Sequence, residues 1–120
     1  MILIQTIYWL AGVLEGEGSF FMWTDQRGRR YPKIQVGMTD PDVIDKIATL
    51  FQRKVQTIAR KGQKTTYRAA IEGRRAAGWM MTIYPLMGQR RRERIAGVLK
   101  EWRGTLFRPG YTRLQKEVWA

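Results

Sequence analysis

The chain has 120 residues, 44% of them hydrophobic, which is enough for one compact domain with a core and too little for two. Its 22 Lys and Arg against 10 Asp and Glu give a formal charge of +12, which calls for a polyanionic partner. With no Cys and no His, disulfides, thiolate metal sites and imidazole bases are excluded, and any metal must be held by oxygen atoms.

The opening run Ile2 to Leu14 is apolar, but it lacks a basic leader, is too short to span a bilayer and runs into Glu15 and Glu17. It is expected to be a buried helix over residues 6 to 16, with Thr6 as N-cap and Gly16 and Gly18 ending it, in a cytoplasmic protein without a membrane role. Ser19 to Trp23 and Pro32 to Met38 are strand-like and flank a polar segment, Asp25 to Arg30, so they form a hairpin. Asp40-Pro41 is a helix start, and Val43, Ile44, Ile47, Leu50 and Phe51 then share one helical face. A second hairpin follows, Val55 to Arg60 and Thr65 to Glu72 around Lys61-Gly62-Gln63-Lys64. Ala76, Trp79, Met80 and Ile83 mark a third helix that Pro85 ends, and Ile95, Val98, Leu99 and Trp102 mark a fourth beginning at Gln89. The fold class is therefore α+β, with one four-stranded antiparallel sheet carrying helices on one face and leaving the other free. Residues 1–102 form the domain, and 103–120 a loop with a short helix around Thr112 to Val118.

Charge is unevenly spread. Residues 1 to 24 hold no Lys or Arg, so Glu15 and Glu17 are an acidic island, whereas Arg53 to Arg75 hold eight basic residues and one acid. In the second strand Ile34, Val36 and Met38 point one way and Lys33, Gln35 and Gly37 the other; in the fourth, Tyr67, Ala69 and Ile71 point inward and Thr66, Arg68 and Ala70 outward. A two-stranded ribbon with such side chains fits the major groove, where Arg and Lys read guanine and Gln reads adenine. The candidate DNA-facing set is Phe21, Trp23, Asp25, Gln26, Arg27, Arg29, Arg30, Lys33, Gln35, Lys61, Lys64, Thr66 and Arg68. The plainer alternative is a solubilising sheet face.

The segment Leu10-Ala11-Gly12-Val13-Leu14-Glu15-Gly16-Glu17-Gly18 resembles the nine-residue motif that names the LAGLIDADG homing endonucleases: six positions match or differ only by Glu for Asp. IQVGMTDPDVIDKI, YRAAIEGRRAAGWM and YPLMGQRRRERI are also similar to the family, so the resemblance runs over about residues 6 to 102. It implies an αββαββα fold with a saddle-shaped sheet on double-stranded DNA, and cutting that depends on Mg²⁺ or another divalent cation. With one motif copy it implies a homodimer on a pseudo-palindromic site, paired through Tyr8, Ala11, Gly12, Glu15 and Gly16, where Gly12 and Gly16 allow close helix contact. It gives Glu17 and the Gly16 carbonyl the metal, and Arg90 a catalytic place where relatives often carry Lys, with Arg91 the neighbouring candidate for it; Arg92 and Arg94 are given phosphates, and Arg91 and Arg92 are counted among the DNA-binding residues. Some relatives place a Gln at the end of the second strand; Met38 stands there in this chain, so either Gln35 substitutes or the role is absent. Glu15 is assigned a structural role. Two other readings stay open: an RNA-binding intron maturase, and a DNA-binding regulator without chemistry.

Overall fold

The computed structural model describes residues 2–106. Its elements run α1 (Ile4–Glu17), β1 (Gly18–Thr24), β2 (Arg30–Met38), α2 (Pro41–Phe51), β3 (Gln56–Ile58), β4 (Thr66–Glu72), α3 (Arg74–Ile83), a 3-10 turn (Tyr84–Leu86) and α4 (Gln89–Leu106). This is the expected αββαββα order with a further helix. The sheet order is β1-β2-β4-β3, antiparallel throughout, so the two hairpins meet along β2 and β4.

Strand alternation decides the layers. Phe20, Pro32, Ile34, Val36, Ala69 and Ile71 are buried against the helices, with Met38 and Tyr67 packed at the margin of the same core. The helices contribute Leu10, Leu14, Ile44, Ile47, Phe51, Met80, Ile83 and Ile95, all fully buried. Removing such a side chain from a core of this kind costs about 2–5 kcal/mol. Phe20, Ile34 and Ile71 lie side by side in register across three strands, so the inner face is continuous.

Each helix boundary has a local cause. Asp40 caps α2, its Oδ1 accepting from the amide of Asp42 at 3.1 Å, and Pro41 fills the first turn, where no amide is needed. Past the other end of α2, Arg75 donates to the Phe51 carbonyl at 2.6 Å and to Gln52 Oε1 at 3.0 Å. Helix α1 differs from the sequence expectation: the amides of Thr6 and Ile7 both donate to the Leu3 carbonyl, so the helix begins two residues before Thr6 and has no side-chain cap. Gly18 ends it in extended backbone, and a Cβ there would lie 2.8 Å from the Leu14 carbonyl oxygen. Close approach, and not a left-handed turn, is what requires glycine at that position.

Two other expectations shift. Strand β3 is three residues long, shorter than the expected 55–60 run, and α4 continues four residues beyond Trp102. The tail from Phe107 to Ala120, with its expected helix around Thr112 to Val118, lies outside the described residues. Among the described residues, no helix is long and apolar enough to cross a membrane.

Candidate active site and nucleic-acid interface

The outer face of the sheet is open, and its residues follow from the register. Ser19 pairs with Gln35, Phe21 with Lys33 and Trp23 with Tyr31; Gln35 pairs in turn with Ala70, Gly37 with Arg68, and Arg68 with Gln56. Lys33 Nζ sits 4.6 Å from the Trp23 ring centre, and Trp23 packs on Tyr31 at 5.5 Å, so this corner presents an aromatic surface with a cation held over it. At the opposite side Ile58, Arg60, Gln63, Lys64, Thr66 and Arg68 line a hollow of about 180 Å³. Lys61 and Lys64 are exposed on the β3–β4 turn, where Gly62 takes φ +79°.

The β1–β2 loop is organised by Asp25. Its carboxylate accepts from the amides of Arg27 and Arg29 at 2.8 and 2.9 Å, from Arg29 Nε at 3.2 Å and from the Tyr31 hydroxyl at 3.0 Å. Burial alone would raise the Asp25 pKa; these hydrogen bonds outweigh it and hold the carboxyl below its ordinary value. Burial, then the Asp25 bond, pushes the Tyr31 hydroxyl up. Asp25 is thus engaged within its own loop, which accounts for an acid among DNA-facing candidates. The same loop leaves Gln26, Arg27 and Arg29 exposed. Arg30 is a correction to the DNA-facing set: it has the parity of Pro32 and Ile34, and it donates to Thr24 Oγ1 at 3.1 Å and pairs with Glu101 of α4 at 2.9 Å.

The end of α1 meets the start of α4 in a reciprocal contact. Glu15 Oε1 accepts from the Gly88 amide at 3.2 Å, placing a carboxylate at the positive end of α4. A Cβ on Gly88 would come within 2.5 Å of that oxygen, so Gly88 permits the approach. The other oxygen, Glu15 Oε2, is buried and has no hydrogen-bond partner among the described residues. In return, Arg91 Nε donates to the Glu15 carbonyl at 3.1 Å and Arg91 Nη1 to the Gly18 carbonyl at 2.6 Å. One helical turn later, Arg94 Nε donates to the Phe20 carbonyl at 2.8 Å. Arg91 and Arg94 therefore bind the protein's own backbone, whereas Arg90 is exposed and shares a cleft of about 520 Å³ with Ser19, Phe21, Glu93 and both of these arginines. Arg92 is half-exposed on the same turn.

Glu17 is exposed at the last position of α1, and its side chain has no hydrogen bond or ion pair with any described residue. Near it the Leu14 carbonyl accepts from Gly18 and the Glu15 carbonyl from Arg91, and among the described residues the Gly16 carbonyl has no loop or side-chain donor. A carboxylate and a carbonyl at the negative end of a helix are the hard oxygen donors that Mg²⁺ takes. Among the described residues no three acidic side chains cluster, so one chain offers only part of a coordination shell.

The expected pairing face divides. Tyr8, Gly12 and Gly16 are exposed, Tyr8 by 54%, and nothing lies within 4 Å of a Cβ placed on either glycine. Ala11 is the correction here: at 3% exposure it belongs to the domain's own core. Glu15 is half-buried against α4. Gln35 lies on the outer face beside Ser19, while Met38 packs inward, so the two cannot serve the same surface. Ser19, Gln56 and Gln63 also occupy the outer face or its rim and are absent from the sequence-based set; counting back by two from Phe21 already places Ser19 there.

No family profile matches the chain, and no curated protein does. Solved structures do. The group I intron-encoded homing endonuclease I-CeuI, complexed with DNA, matches at a TM-score of 0.60 and 18% identity over 83% of this chain and 55% of that one. The homing endonuclease I-CvuI, in complex with the I-CreI target and 2 mM Mg, matches at 0.58 and 11% identity over 80% of this chain and 65% of that one. The archaeal intron-encoded homing endonuclease I-Vdi141I, complexed with DNA, matches at 0.55 and 14% identity over 97% of each. The chain thus spans little more than half of the first, about two thirds of the second and nearly all of the third. Its fold is the α+β fold of these LAGLIDADG-type endonucleases.

Proposed function

We propose that this chain is one subunit of a LAGLIDADG homing endonuclease, pairing with a second copy through α1 to make a metal-dependent cut in both strands of a long, pseudo-palindromic DNA site. The observation that carries this reading is the position of Glu17: an exposed, unengaged carboxylate where the free face of α1 adjoins the outer face of the sheet. Two-fold pairing along Tyr8, Gly12 and Gly16 brings two such carboxylates toward one axis, where their repulsion favours divalent cations. The basic loops and outer sheet face supply phosphate contacts and base readout.

The cation, when bound, supplies Lewis acidity at the scissile phosphate and makes water a better nucleophile at neutral pH. Glu17 and the Gly16 carbonyl would hold it, as hard oxygen donors. Gln35, on the outer face beside Ser19, orients the attacking water by hydrogen bonding. Arg90, in the cleft that Ser19 also lines, donates to the phosphate oxygens as negative charge builds on them. Water adds to phosphorus in line and gives a proton to solvent, and the bond to the leaving oxygen breaks as that oxygen takes a proton from solvent.

The test incubates the protein with a library of randomised palindromic duplexes in Mg²⁺ or EDTA, beside Glu17→Gln, and sequences what is cut and what is only bound. Cutting of one symmetric site in Mg²⁺, with binding but no cutting by the variant, is expected. Equal cutting by the variant would remove Glu17 from the chemistry. Binding without cutting by both proteins would leave a regulator, or, if RNA competes better than DNA, a maturase.

A further inference from the structure

We infer that Arg91 is a positioning residue for the metal-binding end of α1, setting the place of Glu17 from behind without touching DNA. The inference rests on the nuclease reading above and adds a residue whose role there is carried by the backbone.

The argument begins with the two carbonyls that Arg91 holds. Glu15 and Gly18 flank the dipeptide Gly16-Glu17, and one guanidinium spans them, with Nε at 3.1 Å from the first and Nη1 at 2.6 Å from the second. A planar fork with fixed donor geometry sets the separation of two acceptors; a lysine ammonium on a flexible stem does not. The helix-to-strand transition between the flanking residues is tight, because Gly18 folds back on the Leu14 carbonyl and admits no Cβ. Arg91 is itself anchored. Its helix starts at the Gly88 amide held by Glu15, and its guanidinium carbon lies 6.0 Å from the centre of the buried Phe20 ring. The segment bearing Glu17 and the Gly16 carbonyl is thus pinned on both sides to α4, while the Glu17 side chain stays unengaged.

A cationic group bonded to these carbonyls also has an electrostatic effect. It withdraws two helix-end oxygens from the set a cation could use, leaving Gly16's carbonyl and the Glu17 carboxylate as the donors on offer. Arg90, the next residue on α4, is exposed in the cleft with Ser19, so adjacent arginines divide the work: Arg91 holds the protein backbone and Arg90 faces the substrate.

The test compares wild type, Arg91→Lys, Arg91→Ala, Glu17→Gln and, as a charge control on an exposed position of α4, Lys100→Ala. Four quantities are measured: thermal midpoint, DNA affinity in EDTA, the Ca²⁺ midpoint for binding to the protein–DNA complex by calorimetry, and single-turnover cutting against Mg²⁺. Groups that orient a metal ligand typically change metal affinity or activity by about 10–100-fold when removed. Arg91→Lys is therefore expected to fold and to bind DNA in EDTA as wild type does, with its Ca²⁺ midpoint raised toward that range and cutting slowed in parallel. Arg91→Ala should show the same split more strongly. Lys100→Ala should leave the Ca²⁺ midpoint in place. Unaltered Ca²⁺ midpoints in both Arg91 variants would overturn the inference, as would a loss of EDTA affinity and thermal midpoint in Arg91→Lys that matches its loss of cutting. If Arg91→Ala does not fold, the lysine variant alone decides. Wild-type Ca²⁺ binding and cutting by Glu17→Gln would instead remove Glu17 from the chemistry, and no cutting by the wild-type protein in Mg²⁺ would overturn the nuclease reading itself.

Discussion

Asp25 illustrates how one side chain sets a surface without belonging to it. Its four hydrogen bonds close the loop that presents Gln26, Arg27 and Arg29. Because its folded pKa lies below the unfolded value, the stabilisation it gives is fully present above the ordinary carboxylate range of about 3.9 and is lost as pH falls through the lower folded value. Amide exchange at Arg27 and Arg29 should accordingly stay slow from neutral pH down to the unperturbed range and quicken only below it, whereas in Asp25→Asn it should be fast at neutral pH. Protection of these amides in the variant equal to wild type would show that the loop is held by something else. From sequence, an acid flanked by arginines reads the same whether it points at DNA or ties its own loop, so Asp25 is not separable from its neighbours there. Arg30 is separable in principle. It shares the parity of Pro32, Ile34 and Val36, but a strand read as beginning at Pro32 leaves it in the loop.

At the scale of the element, α1 serves two surfaces. Leu10, Ala11 and Leu14 enter the core, while Tyr8, Gly12 and Gly16 form an uncovered stripe on the other side. The apolar run, the glycine spacing and the two acids are legible in the sequence. Which small residue faces which way is not, because Ala11 and Gly12 fit either surface and their assignment depends on where the sheet lies. A glycine inside a helix with open space at its Cβ costs roughly 0.5–1 kcal/mol relative to alanine, which implies a use for Gly12 outside the monomer. Gly12→Arg should therefore leave the thermal midpoint of the isolated domain unchanged or higher and convert the pair to a monomer in sedimentation equilibrium. A variant that remains dimeric would move the pairing face away from α1. The reciprocal contact of Glu15, Gly88 and Arg91 joins this helix to α4, and no periodicity announces it, since it pairs side chains with backbone groups more than 70 residues away.

At the scale of the molecule, Arg27, Arg29, Lys33, Lys61, Lys64 and Arg68 stand on the helix-free sheet face and its loops, with the acids of α1 at one end. Binding to a polyanion through such a surface follows counterion release. Replacing Lys61 and Lys64 with alanine should reduce the slope of log affinity against log salt by about 0.9 for each phosphate no longer neutralised, over both subunits, with little change in the preferred site. A slope equal to wild type would mean that this turn does not reach the backbone, and a changed site preference that it reads bases. The fold order and the two faces of the sheet follow from alternation and helical spacing alone. The short β3 does not, because Val55 and Ala59 look strand-like in sequence while only Gln56 to Ile58 find partners on β4.

The arginines of α4 have one more effect. β1 is an edge strand, and edge strands present free carbonyls to which another chain's strand can add. Here two of those carbonyls, on Gly18 and Phe20, are already occupied by Arg91 and Arg94, and the opposite edge, β3, offers only three residues. Growth of the sheet from copy to copy is thereby blocked at one border and curtailed at the other. The two-fold pairing proposed for the helix stripe, by contrast, would close on itself. Under that proposal, a concentrated and highly cationic chain would form discrete pairs and not filaments.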